Sequence, residues 1–219
     1  MKIYFTVLII AITQAAFGQI QSLKNPISFL PNGYVIFEKI IGDLNNDGVL
    51  DCVLIIKGTD KSKIINDEYR GKLDRNRRGI IVLFKKNDQY ELVTKNYDCY
   101  SSENEDGGIY FQPELSIEIK RGKLYVTYGH GRYGYWGYTF RFQGSDFALI
   151  GYDEINGAVV TNSETSINFV TKMKIKKVNV NEMAEGGDEV FKKTNERIKQ
   201  RKLIRLSEIK NFDELTLGE

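Results

Sequence analysis

An excess of charge of one sign is almost absent from this chain: 31 Lys and Arg stand against 29 Asp and Glu, a formal balance of +2. No global field is available to select nucleic acid or an acidic substrate. Long apolar runs are also missing. Beyond residue 18 no segment approaches the roughly 20 apolar residues that a membrane helix needs. Histidine occurs once, as His130, in a Gly/Tyr segment with no orienting carboxylate beside it, which argues against a catalytic thiol. Nor is there a nucleophile motif, a zinc signature or a phosphate-binding loop. Cysteine occurs twice, and Cys52 and Cys99 leave two readings open. They form one disulfide in an oxidising compartment, or they are small buried hydrophobes. Only three prolines, 42% hydrophobic and 27% charged residues describe an ordinary globular protein. The aromatic share, 12% with thirteen Tyr, tilts it toward β-structure.

What is present begins at the N-terminus. Lys2 is followed by the apolar run Ile3 to Ile12, broken by Thr6, and then by Ala15-Ala16-Phe17-Gly18. A basic n-region, a short h-region and small residues at −3 and −1 predict a secretory signal peptide over residues 1–18, cleaved before Gln19. The run is too short to span a bilayer. The mature chain is then expected to be secreted or periplasmic, with no membrane span, and residues 19–219 to form a single β-rich domain.

The chemistry is most explicit at residues 43–51, Asp43-Leu44-Asn45-Asn46-Asp47-Gly48-Val49-Leu50-Asp51. Oxygen side chains fall at loop positions 1, 3, 5 and 9, glycine at 6 permits a sharp turn, and Val49 at 7 offers its carbonyl. Asp43, Asn45, Asp47, Val49 and Asp51 are therefore candidate ligands for Ca²⁺, a hard cation that takes oxygen. Position 12, a bidentate Glu in a helix-loop-helix hand, is Leu54 inside the apolar run Cys52 to Ile56. That run and Tyr34 to Ile41 both look extended, so the loop is expected between strands. The alternative is an Asp/Asn/Gly-rich turn that binds nothing.

Residues Gly42 to Leu54 resemble one calcium-loop unit of the FG-GAP/VCBS family, found in integrin-type β-propellers and many secreted bacterial proteins, with Asp43, Asn45, Asp47, Val49 and Asp51 at its ligand positions. The resemblance implies a metal-stapled β-hairpin that rigidifies a binding module. No second copy is found, and a propeller needs a repeated blade, so no full β-propeller is expected. The stretch 137–153 also resembles the later part of secreted bacterial proteins of no established activity that carry a single such unit.

Residues 58–78 are polar and charged, and read as a long solvated loop. Strands are expected over 79–85, 90–95, 115–120, 123–128, 138–142 and 147–152. Asp98, Glu103, Glu105 and Asp106 form an acidic cluster that either completes the calcium shell or is an exposed loop. At 129–138, glycines leave Tyr133, Tyr135, Trp136 and Tyr138 as large flat groups. These, with His130 and Arg132, either meet a ligand or pack as cross-strand core. Over 166–199 a hairpin is favoured, with a helix headed by Asp188 as competitor. Ser207 is expected to cap a short helix running through Phe212.

Turn signals recurring at hairpin spacing predict an all-β, mainly antiparallel meander of about ten strands, arranged as a sandwich, open barrel or twisted sheet. The leading functional expectation is a non-catalytic binding module outside the cytoplasm, with calcium as structural staple and a protein or glycan partner. Alternatives are an inhibitor or immunity-type protein of an extracytoplasmic enzyme, and a glycan-directed hydrolase with paired acidic residues.

Overall fold

The computed structural model describes residues 21–105, 112–199 and 202–217. The expected signal peptide and its cleavage site lie outside the described residues, as does Asp106. Fourteen strands are present among the described residues, with short 3₁₀ turns and no α-helix. No helix there is long and apolar enough to cross a membrane.

The first half of the chain builds a five-stranded antiparallel sheet. Strand β1 (Ser22–Leu23) leads through a 3₁₀ turn at Pro26–Phe29 to β2 (Tyr34–Gly42), which pairs with β3 (Asp51–Gly58). Residues 58–78 are not the long loop their polarity suggests. They hold a separate hairpin, β4 (Ile64–Asp67) and β5 (Gly71–Asp74), in which Leu73 is buried. The chain then returns to pair β6 (Arg78–Lys86) with β3, and β7 (Gln89–Tyr100) with β6 and β1.

The second half is a seven-stranded meander in chain order: β8 (Glu114–Lys120), β9 (Lys123–Gly129), β10 (Gly134–Gln143), β11 (Asp146–Gly157), β12 (Thr161–Asn168), β13 (Met173–Asn179) and β14 (Phe191–Arg197). The favoured hairpin over 172–199 is β13–β14, with Phe191 opposite Asn179. Asp188 heads no helix; its carboxylate accepts from the Glu185 and Gly186 N–H groups and shapes the connecting loop.

The two sheets face each other across one core. Val53, Ile55, Ile80 and Val82 come from the first, and Leu124, Val126, Phe140, Phe147 and Leu149 from the second. Alternation then explains why β3 reads as an unbroken apolar run: its other residues, Cys52, Leu54 and Ile56, join Ile81 and Leu83 in a second cluster under Phe29. Strand β3 is thus covered on both faces, and each such side chain contributes about 1.5–3 kcal/mol by leaving water. Among the described residues, the seven-stranded sheet is covered on one face only. Along β9, Leu124, Val126 and Tyr128 are buried while Tyr125 and Thr127 between them are partly open.

The C-terminal segment closes the sandwich with Leu206, Ile209 and Phe212 in the core. Asn96 Nδ2 donates to the carbonyls of Leu206 at 2.8 Å and Ile209 at 2.6 Å. Ser207 does not head a helix. The segment makes 3₁₀ turns at Leu206–Glu208 and Phe212–Glu214, headed by Arg205 and Asn211, and the Ser207 hydroxyl donates to buried Asp146 at 2.6 Å.

Candidate functional site

The β2–β3 loop closes on itself through its acidic side chains. Asp43 accepts from the N–H groups of Asp47 at 3.2 Å and Gly48 at 2.9 Å; Asn45 Oδ1 accepts from Asp47 N–H at 3.0 Å; Asp47 Oδ1 accepts from Val49 N–H at 2.7 Å. Asn45 Nδ2 also donates to Asp47 Oδ2 at 2.8 Å. The reversal uses left-handed backbone at Asn46 (φ 60°) and Gly48 (φ 83°), residue types that adopt it at low cost.

Asp51 plays a different part. It is fully buried, and its carboxylate accepts from Leu44 N–H at 2.8 Å and from Lys85 N–H of β6 at 3.0 Å. Burial raises its carboxyl above the usual range, the two N–H bonds oppose this, and the Asp47 and Asp43 charges add to the rise. Leu44 drops into the inter-sheet core, and Asn46 lies over the β8–β9 turn, where a Cβ on Gly122 would come within 2.1 Å of its Nδ2. The loop is therefore tied to both sheets.

Three carboxylates, Asp43, Asp47 and Asp51, thus share one corner, and among the described residues no Lys or Arg forms an ion pair with any of them. Their donor chemistry, all oxygen and uncompensated in charge, fits a hard cation. Their arrangement is not a cage: among the described residues no group of three or more His, Cys, Asp or Glu is placed to hold a metal ion. The described members of the acidic cluster do not supply one either. Asp98 accepts from the Tyr34 hydroxyl at 3.0 Å, Glu103 pairs with buried Lys57, and Glu105 accepts from Ser102 at 3.0 Å.

The aromatic segment is split by strand alternation. Trp136 and Tyr138 point between the sheets. Trp136 stacks on its cross-strand partner Tyr128, with ring centroids 5.4 Å apart and planes 13° apart; buried Tyr138 meets Phe212 edge-on at 5.0 Å. These two candidates belong to the core, because β10 alternates and its even-numbered residues face inward.

His130, Arg132, Tyr133 and Tyr135 stay together outside the core. They line a groove of about 570 Å³ with Gln112 and Glu114. A 3₁₀ turn at Gly131–Tyr133 shapes its wall, where the Arg132 guanidinium lies 5.2 Å from the Tyr133 ring centroid and donates to the Tyr133 hydroxyl. Gly134 cannot be replaced: φ is 112°, and a Cβ would collide with the Ile155 carbonyl oxygen at 1.9 Å.

A second groove, of about 450 Å³, runs across the open face of the seven-stranded sheet. Sequence reading missed it. The usable signal was the alternation Tyr135, Gly137, Thr139 on the face of β10 opposite Trp136 and Tyr138.

Cys52 and Cys99 are not bridged. Both are free buried thiols, Cys52 in the cluster under Phe29 and Cys99 in the inter-sheet core. Burial is the main cause that pushes both thiols up, Cys52 to about 11 and Cys99 further.

Comparison with known proteins finds no family model, no curated protein and no solved structure that matches the chain.

Proposed function

We propose that this protein is a non-catalytic binding module acting outside the cytoplasm, with the β2–β3 loop as a calcium-responsive staple and the His130–Tyr135 groove as a contact surface. The observation that carries the reading is the corner itself: three carboxylates that have no basic partner among the described residues, on a loop tied to both sheets. Asp43, Asn45, Asp47 and the Val49 carbonyl would hold the ion, with Asp51 supplying charge from the buried end. The likeness of residues 42–54 to an FG-GAP/VCBS unit supports the same assignment. Bound calcium would neutralise the repulsion among these carboxylates, and so hold the loop and everything it touches in one geometry.

With Leu54 where a bidentate Glu would sit, the expected dissociation constant is on the order of 10⁻⁴ to 10⁻³ M, the range of extracellular modules. Calorimetric titration and thermal melts with calcium test the proposal. Heat of binding and a chelator-reversible rise in melting temperature are expected. Neither effect at about 10 mM Ca²⁺, roughly tenfold above the weak end of that range, would reduce residues 43–51 to a turn.

A further inference from the structure

The groove on the open face of the seven-stranded sheet is built from two cross-strand rows. One row, set by strand register, runs Thr127, Gly137, Asp153, Ser166 and Ile175. Next to it runs Tyr135, Ile155, Glu164, Lys177 and Lys193. Its volume, about 450 Å³, falls within the range of about 300–1,000 Å³ typical of small-ligand sites.

Gly137 is the informative residue. Glycine inside a strand costs about 0.5–1 kcal/mol relative to alanine, and it often marks a bulge, a bend or a place where another group approaches the backbone; the irregularity of β10 lies further on, between Thr139 and Phe140. Backbone conformation does not require it here. Its φ is not in the left-handed region, and an added Cβ would press on the rotatable Thr127 hydroxyl at 3.3 Å and otherwise make ordinary contacts with the Val126 carbonyl oxygen at 3.6 Å and Thr127 Cγ2 at 3.7 Å. What glycine does is leave the floor bare beside Tyr135, a residue 42% exposed.

The polar groups around that floor are held in place. Ser166 Oγ donates to Asp153 Oδ1 at 2.7 Å, and Lys177 Nζ pairs with Glu164 Oε2 at 2.6 Å. The second oxygen of each carboxylate remains an available acceptor among the described residues. Glu154 also borders the groove but shares the inward register position of Trp136; on the open face Asp153 and Glu164 are balanced by Lys177 and Lys193, so that face has no charge preference for a polyanion or a polycation. A flat ring, a bare floor, hydroxyls and fixed carboxylate acceptors suit a ligand with an apolar C–H face and many O–H donors.

We propose that this groove binds a neutral oligosaccharide, lying on the Gly137 floor against Tyr135 and donating its hydroxyls to Asp153 and Glu164. The assignment rests on the reading of the chain as a binding module and adds the class of a ligand and a second place for it, a groove that shares Tyr135 with the His130–Tyr135 contact surface.

The test is calorimetric titration of the full chain with cellohexaose, xylohexaose, maltohexaose and chitohexaose, with hexagalacturonate as the anionic control. Wild type is expected to bind at least one neutral hexasaccharide. Gly137→Val, which fills the floor, should weaken that binding about tenfold or more, a loss of about 1.4 kcal/mol. Asp153→Asn keeps the shape and removes the charge, so it should weaken binding about fivefold even if the valine variant fails to fold. Tyr69→Ala, 90% exposed between β4 and β5 of the first half, should leave affinity unchanged. No binding of any neutral hexasaccharide, or binding of hexagalacturonate alone, overturns the assignment. Binding that survives Gly137→Val and Asp153→Asn but is lost in Arg132→Ala also overturns it, while leaving the binding-module reading in force with the loop groove as its site. A calcium response without any saccharide binding separates the two in the same way.

Discussion

The Asp51 carboxylate, fully buried at the start of β3, accepts a hydrogen bond from the backbone N–H of Lys85 at 3.0 Å, tying the β2–β3 corner to a strand 34 residues further along the chain. With its other oxygen on Leu44 N–H, this side chain does the work of a main-chain carbonyl.

Replacing Asp51 by Ala strands one buried N–H donor, Leu44, and one part-buried donor, Lys85, each worth up to about 1–3 kcal/mol when left unsatisfied. The expected loss is about 2–4 kcal/mol, read from the midpoint of urea unfolding. Its pH dependence has a definite sign. Because burial raises the folded carboxyl above its unfolded value, the folded state holds the proton more tightly. The contribution is therefore intact below the ordinary carboxylate value and falls as pH rises toward the raised one. In calcium-free buffer, wild type should lose stability over that window relative to Asp51→Asn. Identical slopes for the two would show that Asp51 is not shifted.

If calcium loads the corner, its effect should reach beyond the loop. Amide exchange should slow at residues 43–51 and also at the β8–β9 turn under Asn46. Calcium at 100 times its dissociation constant should add about 2.7 kcal/mol. Asp47→Ala should abolish both responses. Protection confined to the loop would mean that Asn46 does not couple the two sheets.

Adjacent aromatics of β10 should behave oppositely. Trp136→Ala removes a ring stacked on Tyr128 against the core and should cost about 3 kcal/mol. Tyr135→Ala, on the open face, should change stability by no more than about 0.5 kcal/mol. Equal losses in chemical unfolding would contradict the inward and outward assignment.

The two cysteines should be silent toward a thiol reagent at pH 8 in the native protein and both titratable in guanidinium without reductant. With its thiol raised to about 11, Cys52 holds little thiolate at that pH, and burial denies both sulfurs access. Failure to label the unfolded chain would reveal a disulfide.

Local pattern was sufficient wherever two-residue periodicity and turn chemistry carry the information. The apolar alternation of Leu124, Val126 and Tyr128, the 52–56 run and the left-handed turn at Asn46 and Gly48 all declare themselves within a few residues, because side chains alternate across a strand and few residue types accept positive φ. The all-β meander of hairpins and the position of the 43–51 loop between strands were legible for that reason. Pairing partners and covered faces were not. The β13–β14 hairpin was the favoured reading of its segment, but the β4–β5 hairpin hides in a stretch whose composition reads as solvent. Cys52 and Cys99 fall into different clusters because each lies on a face covered by chain distant in sequence. The same cause divides the aromatic segment. Gly134 starts β10 in a register that turns Trp136 and Tyr138 inward and leaves Tyr135 and the bare Gly137 outside, and which face of that strand would be covered was decided only when the five-stranded sheet closed over the other side.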